Sequence, residues 1–156
     1  MKYFVELDCD DIDAISANIY KFIQDEGVLD NFEYGWNFID CKRLVAQCPE
    51  LVTFFKQHHL IPRHAAVTIV TDSSHLPRHT DELPVVAKIN IPVINTTGWA
   101  NRWYVNDTVV AELLDMRLPI VFNSQVDHSV DLMSADKFPR IIASFTFYNE
   151  PLDLLT

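Results

Sequence analysis

Polar and apolar positions divide this chain into a helical first third and a β-rich remainder. KYFVEL alternates between the two kinds of side chain, the period of a strand, so an opening strand is predicted there. Asp10 or Asp11 then stands at an N-cap position, and Ile12, Ile15, Ile19, Phe22 and Ile23 recur at helical spacing until Gly27 can end the run. A second helix is predicted from Cys48, with Pro49 in its first turn, Leu51, Val52, Phe54 and Phe55 along an apolar face, and Pro62 as its stop. Beyond Arg63 the period shortens. AAVTIV, VVAKINIPVI, RWYV, LPIVF and RIIASFTFY are short β-branched or aromatic runs separated by Pro, Asn, Asp and Gly, and VDHSV reads as a further strand.

Helices followed by closely spaced short strands predict a mainly β protein with N-terminal helices, in which a jelly roll or β-sandwich carries the helices against one sheet. The 156 residues suit one domain, with 1–62 as helical support and 63–150 as the β core. TDSSHLPRHTD is then the exit loop of the AAVTIV strand, and VDHSV and RIIASFTFY are later strands able to cross the same barrel mouth.

Composition narrows the functional classes. Hydrophobic residues make up 49% of the chain, with ten Phe, enough to build a core. A formal net charge of −10 repels phosphate backbones and no compensating basic patch is visible, so nucleic-acid binding is not expected. No apolar run approaches the roughly 20 residues needed to span a bilayer, and MKYFVELDCDD lacks the apolar stretch of a signal peptide. A cytoplasmic protein without membrane contact is expected. Cys9, Cys41 and Cys48 are odd in number and lack CxxC spacing, which argues for buried or half-buried thiols over disulfides or a thiolate zinc site.

The residues that carry chemistry lie in the β half. His79 and Asp81 stand in HTD, His128 in VDHSV, and Arg140 at the head of RIIASFTFY. Two imidazoles and one carboxylate on a rigid β scaffold can hold a metal on one face and leave the opposite face open for oxygen chemistry. HTD alone is weak, because six His and 22 acidic residues among 156 make about one His-x-acid triplet expected by chance. Arg140 adds weight. A guanidinium in an otherwise apolar strand is costly to bury without a partner, and its fork suits a carboxylate. That partner is an acidic ligand or one of Asp127, Asp131 and Asp136.

His79-x-Asp81, then His128, then Arg140 leading an apolar strand, with KINIPV between, resembles the Fe(II)- and 2-oxoglutarate-dependent oxygenase superfamily over residues 65–148. Within it the stretch is most similar to the aspartyl/asparaginyl β-hydroxylase-like and prolyl-hydroxylase-like branches. The resemblance implies a double-stranded β-helix, a cupin-like jelly-roll barrel. It implies that His79, Asp81 and His128 bind Fe(II), that Arg140 takes the distal carboxylate of 2-oxoglutarate, and that O2 is consumed with release of succinate and CO2, usually with hydroxylation. Thr68, Lys88 and Asn90 occupy places at which the β-hydroxylase branch completes its cosubstrate pocket; a period of two puts Lys88 and Asn90 on one face, and Ser144 on that of Arg140. The gap of twelve residues from His128 to Arg140 is longer than the family's usual one, which leaves Lys137 as an alternative to Arg140.

The substrate class implied is an amino-acid side chain, a peptide or protein, or a small polar metabolite. Asp81 points to a hydroxylase over a halogenase, in which halide takes the carboxylate's place. Thr146, standing where a nucleobase demethylase carries a second arginine, points away from that branch. The competing reading is a non-catalytic jelly roll that binds zinc or a small ligand, and an interaction module is a third, in which the trio would be scattered.

Among other candidates, Trp99, Arg102, Trp103 and Tyr104 in GWANRWYVN can wall the substrate, and the Tyr104 hydroxyl can reach the cosubstrate. Trp36 reads as core, and His58 and His59 as a helix end. His64 carries no signal. His75 reads as a lid or loop residue, since Pro77 excludes a helical pairing with His79. LPRHTDELP, punctuated by Pro77 and Pro84, reads as a loop that orders when ligand binds.

Overall fold

The computed structural model describes residues 1–33, 35–72, 75–81 and 84–156. In chain order these form β1 (Phe4–Glu6), α1 (Ile12–Asp25), β2 (Gly35–Ile39), α2 (Cys41–Gln47) and α3 (Pro49–Gln57). There follow β3 (Pro62–Val70), β4 (Leu76–His79), β5 (Ala87–Ile94), β6 (Trp99–Val105), β7 (Thr108–Leu114), β8 (Ile120–Asn123), β9 (Asp127–Leu132) and β10 (Arg140–Phe147). Glu82 and Leu83, in the segment read as an ordering loop, lie outside the described residues.

The strands build two antiparallel sheets, one in the order β1-β8-β5-β10-β3-β2 and the other in the order β4-β9-β6-β7. From β3 onward the chain passes between them, β3, β5, β8 and β10 going to the first and β4, β6, β7 and β9 to the second. That winding is the double-stranded β-helix, a jelly roll in which two sheets face each other across a shared interior. The expected mainly β architecture with N-terminal helices is therefore observed.

Side-chain alternation explains how the layers stack. In β10, Ile141, Ala143, Phe145 and Phe147 join the large core shared with Ile15, Ile19, Phe22 and Ile23 of α1 and Leu51, Phe54 and Phe55 of α3. Full burial of each large apolar side chain in that layer contributes about 1.5–3 kcal/mol. The alternate β10 residues, Arg140, Ile142 and Ser144, face the other way, into the space between the sheets. There Ile142 packs with Trp103, Leu113, Met116, Ile120 and Phe122. The helices thus close one side of the six-stranded sheet and leave its other side to form a pocket.

Local chemistry accounts for the turns that hold this arrangement. Pro92 in β5 lies past the last residue paired with β8 and beside Val93, which the pairing with β10 skips as a bulge, so its missing N–H falls where the ladder is already interrupted. Gly98 adopts φ +81° immediately before β6, and its carbonyl accepts the backbone N–H groups of Met133, Ser134 and Ala135. A Cβ there would stand 2.5 Å from the Ala135 nitrogen, so only glycine lets the segment before β10 close over the start of β6. Four elements differ from the sequence reading, one of them β2, where no strand is predicted. CKRLVAQ forms α2, where the Asp40 carboxylate accepts the Arg43 N–H at 3.1 Å as an N-cap; HLPRH contributes β4; and TVVAELL forms β7. β1 and β2 also place strands of the six-stranded sheet inside the stretch read as helical support.

The three cysteines are free thiols, Cys41 and Cys48 buried and Cys9 half-buried, as their spacing predicts. Among the described residues, no helix is long and apolar enough to cross a membrane.

Candidate active site

The pairing of β4 with β9 brings His79 directly opposite His128, although 49 residues separate them in sequence. Their rings lie 4.5 Å apart. Asp81 follows β4, held by its backbone N–H on the Ser124 carbonyl at 3.1 Å, and turns its carboxylate toward both rings. The His79 Nε2 lies 3.6 Å and the His128 Nε2 3.4 Å from the same Asp81 Oδ1. All three donor atoms fall within 4.8 Å of one another.

The other nitrogen of each ring fixes this orientation. His79 Nδ1 is 2.6 Å from the Pro77 carbonyl and His128 Nδ1 is 2.7 Å from the Val126 carbonyl. A carbonyl only accepts, so each Nδ1 carries a proton and each ring turns its Nε2 inward, the nitrogen that would ligate a metal. Two imidazole nitrogens and a carboxylate oxygen gathered this closely are a donor set that would hold one divalent cation. The residues present fit such a metal.

Asp81 is also held from behind. Its side chain is 6% exposed, and its second oxygen, Oδ2, receives the Lys88 ammonium at 2.7 Å. Burial pushes the Asp81 carboxyl up, but hydrogen bonds from His128 and His79 and the charge of Lys88 outweigh that and hold it well below the usual carboxylate range. Burial pushes the fully enclosed Lys88 down, against the pull of Asp81. The Lys88 ammonium also lies 4.0 Å from the centre of the Trp36 ring. Trp36 is accordingly half-buried on the pocket wall, where the sequence reads as core.

Deeper in the same pocket lies Arg140, 2% exposed. Among the described residues no carboxylate ion-pairs with it, so Asp127, Asp131 and Asp136 do not serve as its partner. Asp127 and Asp131 are taken by Arg78 and Arg102. Among the described residues its buried Nε has no acceptor, and the Trp99 ring lies 5.5 Å from its guanidinium. Burial alone pushes its pKa down to about 10. Lys137 is exposed and borders a different groove, between α1 and β5, so of the two cations it is Arg140 that faces the His–Asp–His cluster.

The remaining sequence candidates separate cleanly. Thr68, Asn90 and Ser144 line the pocket, and the Ser144 hydroxyl donates to the Asn90 Oδ1. Lys88 engages Asp81, not the space beside Arg140. Tyr104 lies outside: its neighbour Trp103 takes the inward position, and the Tyr104 hydroxyl meets Ser129 Oγ at 2.9 Å on the outer face. Arg102 shares that outer face, bound to Glu112 and Asp131. Asn101 is a lining residue that the sequence reading passes over. The signal was available, since the period of two that turns Trp99 and Trp103 inward turns Asn101 with them.

No protein-family model matches the sequence, and no curated protein matches it. Solved structures do resemble the fold. A prolyl 4-hydroxylase of Pseudomonas putida matches with a TM-score of 0.60 at 12% identity, over 94% of this chain and 92% of that one. The fold is that of the 2-oxoglutarate oxygenases. A viral collagen prolyl hydroxylase of Paramecium bursaria Chlorella virus 1, solved as a 2-oxoglutarate complex, matches at 0.56 and 14% identity over 92% and 94%. The α-ketoglutarate-dependent epimerase SnoN of nogalamycin biosynthesis matches at 0.58 and 12% over 95% and 78%. Shared folding of this oxygenase type spans nearly the whole chain, helices included.

Proposed function

We propose that this protein is an Fe(II)- and 2-oxoglutarate-dependent dioxygenase, a single oxygenase domain that hydroxylates an amino-acid side chain, a peptide or a small polar metabolite. The observation that carries the reading is the joint geometry of one pocket: two imidazole nitrogens converge on one carboxylate oxygen, and a buried guanidinium with no acid among the described residues faces them. A divalent metal accounts for the first and a dicarboxylate for the second. The oxygenase fold of the neighbouring structures supports both.

In this reading His79, Asp81 and His128 hold Fe(II), and Arg140 takes the distal carboxylate of 2-oxoglutarate, with Thr68, Asn90 and Ser144 along its path. Bound there, iron would supply dioxygen activation, driven by decarboxylation of the cosubstrate to succinate and CO2. Lys88 keeps Asp81 Oδ2 occupied, so Asp81 offers the metal a single oxygen. The Pro77 and Val126 carbonyls hold the two rings in their metal-binding tautomer. Trp103, Ile120, Phe122 and Ile142 exclude water from the interior, which strengthens the Arg140–carboxylate attraction. His79, with 39% of its side chain exposed, marks the side from which substrate reaches the centre.

The test is turnover of the cosubstrate. Protein given Fe(II), ascorbate and 2-oxoglutarate in air is expected to release succinate, and a screen of free amino acids and peptides should raise that rate for the true substrate class. No succinate above the level of an Asp81→Ala control would overturn the assignment.

A further inference from the structure

The interior carries more hydrogen-bond donors than the roles above use. On the inward face of β6 stand Trp99, Asn101 and Trp103, all at least nine-tenths buried. Trp99 Nε1, Asn101 Nδ2 and Trp103 Nε1 each lack an acceptor among the described residues. Leaving a buried donor unpaired is unfavourable enough that such groups are rare, and three on one strand face is a concentration that needs a cause. Every one of these groups is a donor, as is the orphaned Arg140 Nε, so the missing partner is rich in acceptors.

Strand register sets these donors in order from the His–Asp–His cluster toward Arg140. Trp103 pairs with His128 and so stands at the metal end, while Asn101 pairs with Val130 one inward step away. Trp99 is a further step on, with the Arg140 guanidinium 5.5 Å from its ring. Successive inward residues of a strand are about 6.6 Å apart, so Asn101 stands roughly midway between the metal ligands and Arg140. Trp99 does not line the pocket, but Asn101 and Trp103 do.

We infer that Asn101 and Trp103 are cosubstrate-binding residues, their carboxamide and indole N–H groups donating to oxygens of a 2-oxoglutarate stretched from the His–Asp–His cluster to Arg140. β6 then forms the wall opposite Thr68, Asn90 and Ser144, and because its unpaired groups are all donors it selects an acidic keto acid over a cationic ligand. This rests on the oxygenase reading above, and deepens it by naming residues outside the HxD…H…R pattern.

The test is direct binding without turnover. The protein loaded anaerobically with Co(II) is titrated with 2-oxoglutarate by calorimetry, in the unsubstituted form and as Asn101→Leu and Trp103→Phe. Each variant removes one neutral hydrogen bond, so each is expected to weaken 2-oxoglutarate about three- to tenfold while Co(II) affinity stays within twofold. Asn101→Leu also removes an unpaired buried donor, so the metal-free protein should melt no lower than the parent, which guards against a merely structural defect. Uptake by the parent with variants that bind as tightly within twofold overturns this inference and leaves the oxygenase reading standing. No uptake by the parent overturns both.

Discussion

The two faces of the four-stranded sheet, made by the same strands, treat polar groups in opposite ways. On the outer face the charges satisfy one another. Arg78 bonds Asp107 and Asp127, Arg102 bonds Glu112 and Asp131, and Tyr104 meets Ser129, which in turn donates to Asp131. On the inner face, among the described residues, Asn101 and Trp103 lack acceptors, His79 and His128 converge on one carboxylate oxygen, and Arg140 across the pocket has no acid. Exposed pairs of the outer kind contribute about 0–1 kcal/mol, whereas the unpaired donors of Asn101, Trp103 and Arg140 are desolvated at a cost that the described residues do not offset. On the function proposed above, polar groups retained at such a cost are those a ligand would satisfy.

The contrast predicts a graded series of effects. Asp81→Ala or His128→Ala should abolish measurable Fe(II) or Co(II) binding by calorimetry, since each removes one of three ligands. Retained affinity would place the metal elsewhere. Lys88→Met leaves the Asp81 charge buried and unpaired, so chemical denaturation of the metal-free protein should show a loss of about 3 kcal/mol. Added metal should recover part of that loss by supplying the missing positive charge, and an unchanged stability would show the pair to be idle. Arg140→Leu should weaken 2-oxoglutarate by about 1.5–3 kcal/mol, roughly ten- to a hundredfold, with metal affinity intact. Because no acid among the described residues pairs with Arg140, the same substitution should leave the metal-free protein as stable or more so. Tyr104→Phe, on the outer face, should cost at most about 1 kcal/mol of stability and leave 2-oxoglutarate affinity unchanged. A large affinity loss there would erase the distinction between the faces.

Much of this arrangement can be read from the sequence, and the exceptions have physical causes. α1 is legible because five apolar residues keep helical spacing between an acidic N-cap position and Gly27, and β10 because its β-branched and aromatic run has no competing period. α2 is hidden because seven residues of CKRLVAQ bury only Cys41 and Leu44, too few for a period to emerge. β4 is hidden because Pro77 and two charged or polar neighbours read as a loop, and it becomes a strand only through pairing with β9. β7 is an edge strand with mostly exposed side chains, so no buried face imposes alternation on TVVAELL. At the site, spacing identifies His79, Asp81, His128 and Arg140 as candidates, but it cannot say which of two adjacent aromatics turns inward. Trp103 and Tyr104 necessarily point to opposite faces, and the sheet-to-sheet packing around Phe4, whose ring stacks on Trp103 at 4.6 Å, decides between them. The Lys88–Asp81 pair is likewise a tertiary event, invisible to a parity argument that places Lys88 and Asn90 together.

The measurement that bears most directly on the central claim is an anaerobic optical titration with Fe(II) and 2-oxoglutarate. Chelation of the keto acid by iron held on His79, Asp81 and His128 should produce a visible charge-transfer band that saturates with 2-oxoglutarate and is lost in Asp81→Ala. Absence of the band at saturating ligand, or its persistence unchanged in both Asp81→Ala and His128→Ala, would contradict the account.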